Sequence, residues 1–343
     1  MNSSTVLAAA VCGFLLTAAA TLVLRRVALR WGIVDRPGGH KSHRRPTPYL
    51  GGVAIALGTL VPPIALAGPA VRPVAGILVG ALAMALLGLI DDLIPLPPLT
   101  RLAVQALAAG VVVVSGVVAP LTGTWLDLLA TLVWIAVVTN SFNLLDNMDG
   151  ALGAVAVVGA ALLAAAAFVS GQPALGLLLT ALFLSVLGFL PYNWAPAKIF
   201  MGDAGSLFIG FVLACSAALL VTGRGPDTAI AGLLLPTFVA TVDTGVVVLS
   251  RTRAGRSIMQ GGTDHLSHRL HKLGLSKRLT ALTLAALAAV TGVLDLLMTL
   301  RWISPLSASL IGLMAASVLI GLPQRVRVYP SLRAQSSHLA RRK

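Results

Sequence analysis

The sequence predicts an all-α polytopic membrane protein of about eleven transmembrane helices, with its N-terminus outside and its C-terminus in the cytoplasm. Three observations lead there. The chain is 57% hydrophobic and only 10% charged, with a mean hydropathy of +0.93. Its apolar runs are long and closely spaced. Its cations crowd into alternate loops. A soluble domain carries about 25% charged residues, so a soluble fold of 343 residues with this composition could not cover its surface.

The runs lie at about 5–24, 51–67, 74–90, 102–119, 126–142, 151–169, 174–191, 206–222, 229–249, 279–299 and 304–321. Twenty residues of helix span roughly 30 Å, the thickness of a bilayer core. Gly68-Pro69, Gly171-Gln172-Pro173 and Gly223-Arg224-Gly225-Pro226 punctuate them. The first run lacks a positively charged leader and is followed at once by Arg25-Arg26, so it reads as a membrane helix rather than a signal peptide. Residues 1–321 form one transmembrane domain and 322–343 a basic cytoplasmic tail, with no repeat or second domain. Cys12 and Cys215 fall inside helices, where they read as small packing residues.

Threading eleven helices puts 22 of the 25 Lys and Arg residues on one side of the membrane, leaving Arg72, Arg224 and Arg301 on the other. The richer side is the cytoplasmic one. The net charge of +14 therefore reads as topology and as contact with anionic lipid headgroups, not as nucleic-acid binding.

All eleven acids are aspartates. Asp35, Asp91, Asp92, Asp146, Asp149, Asp203 and Asp264 fall on the cation-rich side or at helix ends facing it. Asp243 lies within the ninth helix, and Asp127, Asp227 and Asp295 sit toward the outside. A charge within a membrane helix costs roughly 2.5–3.5 kcal/mol, so such residues tend to serve function. The gathering of acids predicts a cleft at the cytoplasmic face.

Asp91-Asp92 ends the third helix. Adjacent carboxylates resist joint ionisation, which a divalent cation relieves, and magnesium favours carboxylates together with substrate phosphates. A solvated helix end accounts for the pair equally well. Asn140, Asn143, Asp146 and Asp149 recur every three residues, a spacing that keeps neighbours near one helix face before Gly150 permits a turn. Capping explains one or two of these four. In the stretch from Pro191 to Ser206, Gly202 and Gly205 admit close backbone approach, and a helix beginning near Ser206 offers free N–H groups to an anion. A carboxylate beside such a phosphate site needs a metal between them, which marks Asp203 as a metal ligand. Phe200 can stack on a base or anchor at the interface. In the longest loop, His265, His268 and Arg269 suit phosphate binding or proton traffic, and a basic surface helix is the plainer reading.

Taken together these motifs resemble the polyprenyl-phosphate N-acetylhexosamine-1-phosphate transferases, a superfamily that includes phospho-N-acetylmuramoyl-pentapeptide transferase. The resemblance runs over nearly the whole chain. It is carried in order by Asp35-Arg36-Pro37 through Lys41-Ser42-His43 and Pro46-Thr47-Pro48 to Gly51-Gly52, and by Asp91-Asp92 with Pro98-Leu99-Thr100-Arg101-Leu102 and Gln105. Asn143, Asp146 and Asp149-Gly150 follow, then Asn193 with Phe200-Met201-Gly202-Asp203-Ala204-Gly205-Ser206, and finally His265-Leu266-Ser267-His268-Arg269-Leu270.

The resemblance implies transfer of an N-acetylhexosamine phosphate, GlcNAc-1-phosphate first among them, from a UDP-amino-sugar to undecaprenyl or another polyprenyl phosphate. It implies Mg2+, for which Mn2+ can stand in, a plasma-membrane location and a homodimer. By the same resemblance Asp203 holds the metal, and Asp91 and Asp92 lie near the metal and the lipid phosphate. Asn143, Asp146 and Phe200 hold the uridine part, and Asp149 and Asn193 are other polar positions of the cleft. Lys41, His43 and Arg101 belong to the basic positions near the substrate phosphates. His265, His268 and Arg269 hold the sugar-phosphate end. Four positions depart from the pattern. Ser267 stands where the family often has histidine, Asn147 where glycine is common, Ala151 where leucine is common and His40 where arginine is common. Ser267 argues against the muramoyl-pentapeptide branch.

The implied reaction exchanges one phosphoanhydride for another. Asp91 or Asp92 could also act as base or nucleophile. A transporter is the rival class, and Asp243 and Asp295 are the acids that fit it. An intramembrane prenyltransferase would want acids four apart, but no third acid follows Asp91-Asp92.

Overall fold

A computed structural model describes residues 3–35, 46–66, 71–258, 261–326 and 328. The chain is helical, as expected, apart from one two-stranded antiparallel ribbon of β1 (Val34–Asp35) and β2 (Thr47–Pro48). The helices are α1 (Ser3–Trp31), α2 (Gly51–Leu66), α3 (Arg72–Leu93), α4 (Pro98–Val114), α5 (Leu126–Leu145), α6 (Ala151–Val169), α7 (Pro173–Asn193), α8 (Gly202–Val221), α9 (Pro226–Leu234), α10 (Phe238–Arg253), α11 (Leu266–Lys272), α12 (Lys277–Thr299) and α13 (Pro305–Gly321).

Eight helices among the described residues are long and apolar enough to cross a membrane, or nine if α9 and α10 form one span; α2 and α4 are shorter apolar helices. Each apolar run of the sequence but one overlaps a single one of these helices. The run at 229–249 differs from expectation. It breaks into α9 and α10, bent by 77° around Leu235-Pro236-Thr237. Pro236 supplies the reason, since it has no N–H to give the helix and its ring crowds the preceding turn.

α8 is the axis of the bundle. Every residue from Ala204 to Val221 is buried, and α2, α3, α5 and α9 pack round it. Without a hydrophobic drive between helices in lipid, close backbone approach holds such a bundle together. Gly88 shows this: a Cβ there would lie 2.3 Å from the backbone carbonyl of Asp203. The C-terminal end of α3 is thereby pressed onto the first turn of α8. At the rim, α13 turns Leu310, Leu313, Met314 and Val318 outward, an apolar face suited to lipid.

Candidate functional site

The C-terminal ends of α3, α5 and α7 and the N-terminal end of α8 meet around one cavity of about 630 Å³. Asp91, Asp92, Asp146, Asp149, Asn193, Phe200, Asp203 and His268 all line it, as do Asp35, Tyr49, Asn147 and Thr263. Residues far apart in the chain converge because the helices alternate in direction. Lys41 and His43 lie outside the described residues.

The four central groups are held by different forces. Asp91 accepts from the backbone N–H of Leu96 at 2.6 Å and pairs with Arg101 at 2.9 Å. Asp92 accepts from the N–H groups of Asp203 (2.9 Å) and Ala204 (3.1 Å). It thus satisfies free donors at the N-terminus of α8, as a cap does, but from another helix. Gly202 makes that contact feasible. Its φ is +70°, and a Cβ would lie 2.4 Å from the Asp92 carboxylate. Asp203 accepts from Asn143 Nδ2 at 2.9 Å, and Arg101 stands 3.9 Å from its other oxygen. Asn143 also donates to Ser206 Oγ at 2.8 Å, so its carboxamide bridges α5 and α8.

Asp146 ends α5 and faces the same cavity. Burial pushes its carboxyl up to about 8, and repulsion from Asp203, Asp92 and Asp149 adds to the effect. Four carboxyls thus share one space, an arrangement that favours a proton or a cation held among them. Sequence spacing placed Asn140, Asn143, Asp146 and Asp149 on one helix face; the helix stops at Leu145, so Asp146 and Asp149 enter the site from the following turn. Asn140 turns instead to α4, donating to Gln105 Oε1 at 2.6 Å. Likewise α8 begins at Gly202, not near Ser206, which puts Asp203 in its first turn.

Asp149 accepts from Lys277 Nζ and from the N–H of Ala197, both at 3.4 Å. Asn193 is buried and works as a clamp: its Oδ1 accepts from Gly150 N–H at 3.0 Å and its Nδ2 donates to the Ile199 carbonyl at 3.1 Å. Phe200 is tied to the end of β2, donating from its N–H to the Pro48 carbonyl at 2.8 Å.

The histidine motif splits in two. His268 lines the cavity, and burial followed by the charge of His265 lowers it to about 4, leaving a neutral imidazole at pH 7. His265 sits behind it with ring centroids 5.8 Å apart, and donates from Nδ1 to Asp243 Oδ2 at 2.8 Å. Asp243 also accepts the N–H of Leu266 at 2.6 Å. Sequence reasoning noted Asp243 only as an exception within an apolar helix; its link to the histidine motif is purely tertiary. Ser267 Oγ donates to Asn147 Oδ1, and His268 Nδ1 lies 3.4 Å from the same Ser267 oxygen. Two positions that depart from the resembled pattern are thus partners.

Arg269 stands apart. It is 1% exposed, does not line the cavity, and bonds the Asp264, Pro323 and Val326 carbonyls together with Ser250 Oγ. It fastens α11 to α10 and to the stretch after α13. Arg251 pairs with Asp264 through two bonds of 3.0 and 3.1 Å beside it.

Among the described residues no three His, Cys, Asp or Glu side chains converge as a closed metal cage. Magnesium does not require one. It keeps several waters and takes one or two carboxylates plus substrate phosphates. Asp203, open to the cavity and crowded by like charge, fits that demand, whereas both oxygens of Asp92 are engaged by backbone.

Comparison with known proteins gives the family. Residues 74–221 match glycosyl transferase family 4. A Streptomyces coelicolor protein described only as a glycosyltransferase is 39% identical over 326 residues, covering 93% of this chain and 76% of its own. A Bacillus subtilis protein named as a probable undecaprenyl-phosphate N-acetylglucosaminyl 1-phosphate transferase is 31% identical, covering 77% and 76%. The decaprenyl-phosphate N-acetylglucosaminephosphotransferase of Mycolicibacterium smegmatis is 33% identical, covering 77% and 75%.

Proposed function

The chain belongs to glycosyl transferase family 4 as a phosphoglycosyl transferase acting on polyprenyl phosphate, and from that premise we propose that its donor is UDP-N-acetylglucosamine, its acceptor undecaprenyl phosphate and its by-product UMP. The observation that carries this reading is the convergence of Asp91, Asp92, Asp146 and Asp203 from three helix ends on one cavity. The site faces the cytoplasm and the helices make eleven crossings of the plasma membrane, which the distribution of Lys and Arg supports.

An oxygen of the lipid phosphate attacks the sugar-bearing phosphorus. One P–O–P linkage forms, the bond to UMP breaks, and UMP leaves with the bonding electrons. A phosphate monoester is largely a dianion at pH 7, so the attacking group needs no base. The obstacle is anion meeting anion. Asp203, with Asp91 beside it, would hold Mg2+, which would supply charge neutralisation there. Arg101 steadies Asp91 and Asp203 and adds positive charge beside them. Asp92 keeps the first turn of α8 in place, and Asn143 orients Asp203. Phe200 and Asp146 shape the uridine end, Asp149 is a further polar position of the cleft, and neutral His268 presents a hydrogen-bonding ring to the sugar phosphate.

The test is UMP release by purified protein given Mg2+, undecaprenyl phosphate and a panel of UDP-sugars. Release that needs both lipid and metal, is greatest with UDP-N-acetylglucosamine and disappears in Asp203→Asn is the expected result. Preference for another UDP-sugar would replace the donor; no release from folded protein would overturn the reaction.

A further inference from the structure

A second cavity lies at the opposite end of the bundle from the aspartate site. It encloses about 780 Å³ between the α6–α7, α8–α9 and α12–α13 connections. That volume falls within the range of about 300–1,000 Å³ found for small-molecule sites. Two of the three cations assigned to this side of the membrane, Arg224 and Arg301, line it. Arg301 is the one non-glycine residue of positive φ among the described residues, at 63°, a conformation that recurs at functional positions.

Beneath the arginines, Asp295 lines the same cavity. It is 5% exposed, and no hydrogen bond or ion pair reaches it within the described residues. A carboxylate in a membrane helix that no group bonds directly, with only the charge of Arg224 felt from the same cavity, is costly, and such residues mark ligand sites. The charges sort the candidate ligands. A simple anion would meet Asp295, and a simple cation would meet two guanidiniums. A molecule with both signs satisfies all three groups.

We propose that this cavity binds a phosphoethanolamine group, with its primary ammonium on Asp295 and its phosphate on Arg224 and Arg301. A primary ammonium offers three N–H donors to the buried carboxylate, whereas a quaternary one offers none. Guanidinium groups match phosphate oxygens. The lipid headgroup is the favoured source. Trp302, exposed beside the cavity, is a residue typical of the membrane–water interface, and Leu220 and Met298 give the cavity apolar walls.

Native mass spectrometry of the full chain, equilibrated with equal amounts of phosphatidylethanolamine, phosphatidylcholine and phosphatidylglycerol, tests this. Phosphatidylethanolamine should be retained about tenfold over either other lipid. Asp295→Asn and, separately, Arg224→Gln/Arg301→Gln should each remove the preference while UMP release persists, which shows the variants folded. Soluble O-phosphoethanolamine serves as a second probe. If it binds and is lost in the same variants while the lipid shows no preference, the same chemistry is supplied by a free metabolite. Equal retention of the three lipids with no binding of the soluble compound, or a preference that survives both sets of substitutions, overturns the site.

Discussion

His265 donates through Nδ1 to the fully buried carboxylate of Asp243 across 2.8 Å, although the residues are 22 apart in sequence. Asp243 thereby orients His265, which backs His268 at the cavity wall. Replacing Asp243 with Asn keeps the shape and removes the acceptor that sets the imidazole. Loss of such an orienting partner costs about 10- to 100-fold in activity. The fall should lie in kcat for UMP release, with KM for the UDP-sugar little changed and the acid limb of the pH profile displaced. An unaltered pH profile at reduced activity would make Asp243 a purely structural residue.

Asp92 and Asp203 should separate in their effects. Asp92→Asn loses the carboxylate that holds the N-terminus of α8, at a cost of about 1 kcal/mol, the usual worth of a cap. Asp203→Asn relieves like-charge crowding, so thermal stability without metal should hold or rise while the response to Mg2+ disappears. Thermal melts with and without Mg2+ distinguish the two. A melting point lowered equally in both variants would contradict the division of roles.

Ser267 and Asn147 should be energetically coupled. Their hydroxyl–carboxamide contact joins the histidine helix to the turn after α5. A double-mutant cycle of Ser267→Ala and Asn147→Ala should show interaction of about 0.5–3 kcal/mol in stability or transition-state binding. Additive effects would mean that the pair does not position His268.

Asp146 governs a pH dependence of the ligand-free protein. Burial pushes its carboxyl up to about 8, above the ordinary carboxylate value of 3.8, so its contribution to stability is fully present below pH 4 and is lost as pH rises through about 8. Asp146→Asn should therefore melt progressively higher than wild type as pH goes from 5 to 8, with the gap level above that. Divalent cations compete with the same proton, so their binding should tighten over that interval. A gap independent of pH would exclude Asp146 as the titrating group.

Arg269→Lys should lower the melting temperature and leave KM for both substrates near wild type. The buried guanidinium spreads its donors over α10, the segment before α11 and the stretch after α13, and an ammonium cannot reproduce that fork. A raised KM at unchanged stability would return Arg269 to the substrate site.

The membrane class, the positions of the apolar runs and the identity of most cavity residues were legible in the sequence because each depends on local composition. Hydropathy and charge bias act over a single helix or loop, and motifs such as Asp91-Asp92 or Phe200 to Ser206 keep their chemistry wherever they are placed. What the tertiary structure alone decided is which of those residues share a space. Asp92 became an anchor for α8, Asn193 a clamp between two loops, and Arg269 a fastening, because each met donors or acceptors remote in the chain. Asp243 acquired its partner from a helix 23 residues on, and Asp295, with no hydrogen bond or ion pair among the described residues, was left lining a cavity. Hydrogen bonds and ion pairs are short-ranged, so their partners are set by how helices pack, and a linear pattern carries no record of that packing.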